Sequence, residues 1–436
     1  MTIDPKICER MREDWNSRAQ EDANYYVAFG RREQAEAEFF ETGAEMARAL
    51  ERELMRLPAN ANRRAWRALE IGCGPGRLMK PMSRHFGEIH GIDVSTEMIR
   101  LAREKLSEIP HAHVHAASGA DLAAFADESF DLVYSYAVFQ HIPSRDVVLQ
   151  YLREARRVLK PGGIVRCQIN GLPETAARYD TWSGVRISAA DTAAFAKAHD
   201  FQLLALEGAS TQYMWTTWRK RPEGWAAGLE GRRVEPVVRI RRITNAHSSE
   251  PVAPPHGRFA SISLWVEGLP EECDLNHLDI LVGGAKGLGT YLGPREPDGL
   301  QQLNACLPEG LSTGLQAVEL RWLGQSVAEP SKLRVIPAGP AVPRVVSVSD
   351  GIDLLSGLRI VSGAMKVAIE EALQPERFEA QVDGISVAEI DVFCTDPRLP
   401  RHEVNFKLPE GLGTGRHLLS MRLGSRHFAP VTIEVE

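Results

Sequence analysis

The stretch that decides the fold is Leu69-Glu70-Ile71-Gly72-Cys73-Gly74-Pro75-Gly76-Arg77, followed by His90-Gly91-Ile92-Asp93-Val94-Ser95. Residues 66–71 end apolar, as a buried strand does, and residues 77–86 have helical composition. Three glycines at alternate positions let a backbone turn sharply and approach a ligand with no Cβ in the way. A helix N-terminus beside them offers unpaired N–H groups to an anionic group. Asp93 ends the next apolar run, where the second strand of a doubly wound sheet would stop, and a carboxylate there can accept both hydroxyls of a ribose. A nucleoside-containing cofactor follows.

The details select among such cofactors. A dinucleotide fingerprint needs a small third residue for close helix–strand packing, and here that position is the bulky Arg77. Glu70, two residues before the first glycine, is an unhelpful charge beside a pyrophosphate and a useful partner for a cationic amino group. The pattern E-x-G-x-G-x-G resembles the class I S-adenosylmethionine-dependent methyltransferases. Five further segments match in order: 90–95, 118–122, Phe130-Asp131-Leu132-Val133, Arg157-Val158-Leu159-Lys160-Pro161-Gly162-Gly163, and a strand ending over 213–219. The resemblance covers about 60–220. It implies an α/β doubly wound, mostly parallel sheet, with S-adenosylmethionine as cofactor and S-adenosylhomocysteine as product.

Carried over residue by residue, the resemblance implies that Gly72, Gly74 and Gly76 line the methionine part of the cofactor. Glu70 would lie near its amino group or order the loop. Asp93 would hold the ribose, with Met98 packing by the adenine. In the third segment many relatives carry an acidic residue beside the adenine amine. The aligned position here is Gly119, which leaves backbone contacts from Gly119 and Ala120 and moves a side-chain contact to Asp121 or removes it. Glycines serving only a tight turn are the competing reading.

Beyond this segment the 436 residues are ordinary for a globular chain, 44% hydrophobic and 25% charged. A net charge of −7 gives no electrostatic case for nucleic acid or an anionic membrane. No run approaches the roughly 18 apolar residues of a bilayer span. The N-terminus lacks the apolar centre of a signal peptide, and six scattered cysteines without C-x-x-C fit reduced thiols better than a zinc site. A cytoplasmic protein with no metal is expected.

Residues 1–57 read as a helical lid or cap, ended by Pro58 and the Asn/Ala run. Residues 58–221 form the cofactor domain, with strands and helices alternating at 66–71, 77–86, 88–93, 95–107, 111–116, 130–136, 146–159 and 163–170. Residues 222–236 read as a linker. Thereafter Gly, Pro and short Val/Ile/Leu runs dominate, and the chain repeats itself. Asn304-x-x-Leu307-Pro308-Glu309-Gly310-Leu311-x-Thr313-Gly314 recurs 101 residues later as Asn405-x-x-Leu408-Pro409-Glu410-Gly411-Leu412-x-Thr414-Gly415. Two tandem all-β sandwiches, 237–337 and 343–436, are expected and look similar to immunoglobulin-like modules. They carry no catalytic spacing, so a role in holding an acceptor or in homo-oligomer contacts is expected of them.

Methyl transfer from a sulfonium needs an aligned nucleophile and exclusion of water. A base is needed only where the acceptor carries a proton to lose. The fourth strand runs into Tyr136-Ala137-Val138-Phe139-Gln140-His141, whose end faces the sulfonium in the class I fold. Tyr136 and His141 are therefore the acid/base candidates, with a capping or packing role as the alternative for His141. Trp15, Arg18, Asp22, Tyr25 and Tyr26 fall on one face of an unbroken helix. Asp22 with Tyr25 or Tyr26 could bind or deprotonate an acceptor hydroxyl if that face is a lid, and core packing is the even alternative. Arg178, Tyr179 and Arg186 in the irregular stretch, and Tyr213 beside the last strand, are the acceptor-wall candidates. Solvated arginines and sheet packing compete with that reading.

The leading expectation is a methyltransferase acting on a small-molecule acceptor, with O-methylation slightly ahead of N- or S-methylation. A cofactor-binding scaffold whose sandwiches dominate is the second. An NAD-linked oxidoreductase is disfavoured by Arg77 and Glu70.

Overall fold

The computed structural model describes residues 3–28, 32–57, 62–175, 178–234, 237–352 and 357–436. The break expected at Pro58 and the end of the 222–236 linker lie outside them. The chain divides into two compact units: Met1–Ser17 with Phe40–Ala338, and Arg18–Phe39 with Gly339–Glu436.

In the first unit the strands β1 (Arg67–Ile71), β2 (Glu88–Asp93), β3 (Ala112–Ala116), β4 (Phe130–Ser135), β5 (Leu159–Ile169), β6 (Phe201–Glu207) and β7 (Met214–Lys220) form one sheet of order β3-β2-β1-β4-β5-β7-β6. The first five are parallel, and β7 runs antiparallel to both its neighbours. Neighbouring residues feed opposite faces, as pleating requires. Leu69, Val133 and Val165 join one core, while Ala68, Leu132 and Ile164 join the other. With both faces covered, these strands read as continuous apolar runs rather than alternating ones.

The helices are α1 (Pro5–Ala28), α2 (Glu36–Glu51), α3 (Met79–Met82), α4 (Thr96–Lys105), α5 (Arg145–Val158), α6 (Ala189–Ala198) and α7 (Trp225–Gly228). Ser95, Ser144 and Ser188 cap α4, α5 and α6 by accepting a backbone N–H in the first turn. Where the sequence predicted a helix over 77–86, α3 holds four residues and gives way to a 3-10 turn, Ser83–His85. Pro81 lacks the N–H that would bond the Arg77 carbonyl, which interrupts the ladder between the Lys80–Gly76 and Met82–Leu78 bonds. Among the described residues no helix is long and apolar enough to cross a membrane.

The first sandwich comprises β8 (Arg239–Asn245), β9 (Val252–Ala253), β10 (Ser261–Glu267), β11 (Leu278–Val282), β12 (Ala285–Leu292), β13 (Leu300–Cys306), β14 (Gly314–Trp322), β15 (Gln325–Ser326) and β16 (Ser331–Val335). Ile262, Leu264 and Leu303 pack with Ile280, Leu320 and Trp322 in its core. The sandwich is joined to the parallel sheet. Tyr291 of β12 pairs with Ala205 of β6, Leu275 N–H donates to the Leu203 carbonyl, and Leu204 is buried in the sandwich core.

In the second unit, residues 339–436 build two sheets. One comprises β17 (Arg344–Asp350), β19 (Ala364–Glu370), β22 (Asp391–Asp396) and β23 (Arg401–Lys407), and the other β18 (Arg359–Ile360), β20 (Phe378–Val382), β21 (Ile385–Ser386), β24 (Gly415–Leu423), β25 (Arg426–His427) and β26 (Val431–Val435). The sequence repeat is structural, since β13 and β14 recur as β23 and β24 at the same 101-residue spacing. The hairpin turns at Gly283-Gly284 and Asp383-Gly384 both take positive φ at two residues. That is the primed turn whose twist suits a two-residue hairpin.

Candidate functional site

The site lies at the carboxyl ends of β1 and β4, where strand order reverses and an open parallel sheet leaves a crevice. Gly72, Gly74 and Gly76 have φ of 72°, 51° and 87°. A Cβ on Gly72 would sit 2.4 Å from Cγ2 of Val138, so the turn there excludes every other residue. The loop is tied to the end of β2, with Gly72 and Cys73 N–H donating to the Ile92 carbonyl at 2.8 and 2.9 Å and Gly74 N–H to Oδ2 of Asp93 at 2.9 Å. Oδ1 of Asp93 accepts the Ser95 N–H at 2.8 Å. Burial pushes the Asp93 carboxyl up to about 6, against the pull of these backbone donors.

Glu70 is buried on the other side of the loop and accepts the Tyr134 hydroxyl at 2.9 Å. Burial pushes it to about 8, outweighing the Tyr134 bond and the attraction of Arg77. The site therefore favours the protonated carboxyl.

Arg77 is buried too. Its Nη1 donates to Oγ1 of Thr42 at 3.3 Å, and its Nε has no hydrogen-bond partner among the described residues. Its guanidinium lies 5.3 Å from the Tyr136 ring centre. Tyr136 stacks on Trp215 at 5.5 Å and 6°, and Arg166, paired with Glu207 at 2.8 Å, lies 4.7 Å from the Trp215 ring. Two cations thus flank two stacked rings at the loop. A sequence signal existed for Arg77, which ends the glycine motif, but the pairing of Tyr136 with Trp215 depends on β7 returning beside β5.

His141 ends a 3-10 turn, Phe139–His141, and is buried. Its Nδ1 lies 2.9 Å from the Trp182 carbonyl. A carbonyl only accepts, so Nδ1 carries the hydrogen and Nε2 is the acceptor, facing the Gln140 side-chain amide at 3.4 Å. The Trp15 ring stands edge-on to His141 at 5.5 Å. Ala137, just before this turn, has φ of 56°, a strained value for a residue with a Cβ.

The start of α1 covers the far side of the crevice. Oδ1 of Asn16 accepts the Ser95 hydroxyl at 2.8 Å and the Glu97 N–H at 3.2 Å, and Asp14 accepts the Thr181 hydroxyl. A Cβ on Gly119 would meet Met11 at 3.3 Å and Cys8 at 3.4 Å. Gly119 is a close approach to α1, with φ of 97°. Ala120 and Asp121 N–H both donate to Oγ of Ser118 at 3.2 Å, and Oδ1 of Asp121 accepts Ala123 N–H at 3.1 Å. Met98 is buried in the first turn of α4. Asn16 and Asp14 were not read as functional, because nothing in sequence marks a helix polar residue as the cap of another helix.

The remaining expected residues have these local settings. Asp22, Tyr25 and Tyr26 belong to the second unit. They do not continue one helical face with Trp15, since Asp22 has φ −164° and ψ 90°, which interrupts α1. Its carboxylate accepts Tyr25 N–H at 3.0 Å and Glu33 N–H at 2.8 Å, the local bonding that draws Asp out of a helix. Tyr26 donates its hydroxyl to Glu21 at 2.8 Å. Arg178 is exposed, Tyr179 accepts Thr175 N–H at 3.3 Å, and Arg186 donates to the Pro173 carbonyl at 2.8 Å. Tyr213 is half exposed in the turn before β7.

Residues 69–167 match the family described as "Methyltransferase domain". A ubiquinone biosynthesis O-methyltransferase of Cereibacter sphaeroides is 35% identical over 112 residues, 26% of this chain and 44% of the relative. Phosphoethanolamine N-methyltransferase 2 of Caenorhabditis elegans is 34% identical over 122 residues, 27% of each chain. Among solved structures, phosphoethanolamine N-methyltransferase 1 of Haemonchus contortus is 14% identical, with 51% of each chain covered and a TM-score of 0.37. The chain spans less than half the length of the curated relatives it matches. Residues 69–167 are thus a methyltransferase domain of the class I type, whose cofactor is S-adenosylmethionine.

Proposed function

We propose that this chain transfers the methyl group of S-adenosylmethionine to a small-molecule acceptor, with an oxygen acceptor slightly favoured. The observation that carries the reading is the glycine loop held to Asp93 at the switch point, with buried Glu70 beside it and an Arg77 Nε that has no hydrogen-bond partner among the described residues. This set fits a zwitterionic amino-acid group: Glu70 can ionise against an ammonium while Arg77 meets a carboxylate. Bound there, the cofactor would supply an electrophilic methyl on its sulfonium, open to in-line displacement by the acceptor. Asp93 keeps acceptor capacity for ribose hydroxyls.

Nε2 of His141 takes the acceptor proton when the acceptor is a hydroxyl, with Nδ1–H anchored on the Trp182 carbonyl. Trp15 and Asn16 restrict water on that side. Arg178, Tyr179 and Tyr213 are the acceptor-side residues. One similar relative is named for O-methylation and another for N-methylation, so the preference for oxygen rests on His141 alone.

The test is a screen of phenols, sugars, carboxylates, amines and thiols with labelled S-adenosylmethionine, alongside calorimetry with S-adenosylhomocysteine. Tight binding with no turnover on any class supports the second reading, a cofactor-binding scaffold. No binding removes both.

A further inference from the structure

A cavity of about 310 Å³ lies where β6 and β7 meet the 3-10 turn Arg52–Arg56 and the first sandwich. Its walls all belong to the first unit, and no residue of the glycine loop lines it. The volume is at the lower end of small-molecule sites.

Its lining holds three guanidinium groups, Arg56, Arg219 and Arg295, against one carboxylate, Glu271, whose side chain is 78% exposed. Arg56 is buried and bound through Nε to Glu53 at 2.6 Å, while its Nη2 has no hydrogen-bond partner among the described residues. Arg219 gives Nη2 to the Arg56 carbonyl at 2.9 Å and has Glu271 no nearer than 4.0 Å. Burial, then the neighbouring Arg221 and Arg56, lower its guanidinium to about 10. Oε1 of Gln301 is likewise buried without a partner. Gln202, by contrast, is fully used, giving Nε2 to the Glu271 and Cys273 carbonyls.

Arg219 is mostly buried with no carboxylate nearer than 4.0 Å, a costly position for a cation, and a guanidinium fork matches the two oxygens of a carboxylate or phosphate. Leu204, Leu292 and Pro294 give the same cavity apolar wall. The charge excludes metal ions and amines, and the apolar wall admits more than a bare inorganic ion.

We propose that this cavity binds a small organic oxyanion, a phosphate monoester or carboxylate with a compact apolar body, held by Arg56, Arg219 and Arg295. The site is distinct from the cofactor crevice and does not depend on the acceptor assigned to it.

The test is calorimetry on the full chain with phenyl phosphate and with benzoate at fixed ionic strength, and S-adenosylhomocysteine titrated separately. One or both anions should saturate at one per chain, and the stronger of the two identifies the oxyanion. Arg219→Lys and Arg295→Gln should each weaken that binding at least tenfold, with S-adenosylhomocysteine affinity unchanged. Arg295 is exposed, so its variant decides the matter if Arg219→Lys fails to fold. The proposal is overturned if neither anion binds saturably, or if Arg295→Gln keeps the wild-type affinity.

Discussion

Gly74 and Asp93 share a hydrogen bond, backbone N–H to Oδ2 at 2.9 Å, that staples the glycine loop to the carboxylate proposed to accept the ribose hydroxyls. Removing it should damage both roles. Asp93→Ala is expected to weaken S-adenosylhomocysteine at least tenfold, in line with about 1.5–3 kcal/mol for charge-assisted bonds. Asp93→Asn, which keeps one acceptor, should fall between. Calorimetry measures both, and unchanged affinity in the Ala variant would sink the cofactor assignment.

Glu70 gives the folded protein a proton that the unfolded chain has lost. Its carboxyl is raised to about 8 from an ordinary 4.5. A group raised in this way contributes stability that is fully present below about 4.5 and disappears as pH climbs through about 8. The protein without cofactor should therefore become easier to denature between pH 5 and 8, and Glu70→Gln should flatten that slope. Urea unfolding at three pH values reads the difference. An unchanged slope in the variant would mean that the carboxyl is already ionised when folded.

The parallel sheet was legible because burial on both faces writes its strands as apolar runs alternating with helical segments. The repeated Leu-Pro-Glu-Gly-Leu segments likewise showed two copies of one β unit. What escaped was set by tertiary contact. Asp22 looks helical by spacing, yet its carboxylate closes on the Tyr25 and Glu33 amides and interrupts α1. Arg77 was legible as a bulky residue that excludes a dinucleotide. Its burial against Tyr136, and the stacking of Tyr136 on Trp215, needed β4 and β7 brought together.

Asn16 is the clearest such contact to test. Its Oδ1 takes the Ser95 hydroxyl and the Glu97 N–H. Asn16→Ala should cost about 1 kcal/mol, the usual worth of a helix cap, and loosen the first half of α1. Hydrogen exchange should rise over residues 5–17, and S-adenosylhomocysteine should dissociate faster. If exchange there is unchanged, other contacts hold α1 down.

His141 makes a prediction about rate alone. With Nδ1–H fixed on the Trp182 carbonyl, His141→Gln should lower kcat on a hydroxyl acceptor by about 10²–10⁴, the range for a lost general base. Cofactor affinity should hold. The wild-type rate should also fall at acid pH and the variant's should not. A change under threefold, with the same pH profile, would return His141 to a packing role.

The first sandwich should prove inseparable from the methyltransferase sheet, although the 222–236 linker reads as a clean boundary in sequence. A chain ending at Arg232 loses the Tyr291–Ala205 pairing, the Leu275–Leu203 bond and both acceptors of Gln202 Nε2. It also uncovers Leu204, which is 3% exposed in the intact protein. Burying a leucine contributes about 2 kcal/mol, and each lost bond about 1 kcal/mol, a large share of a domain's net stability of roughly 5–15 kcal/mol. The bare edge of β6 would in addition invite strand pairing between chains. The chain ending at Arg232 should therefore melt well below the full protein or aggregate, whereas one ending at Ala338 should remain soluble and bind S-adenosylhomocysteine. Differential scanning calorimetry with light scattering compares the two. Equal melting temperatures and equal affinity would show that the sheet needs no cover from the sandwich.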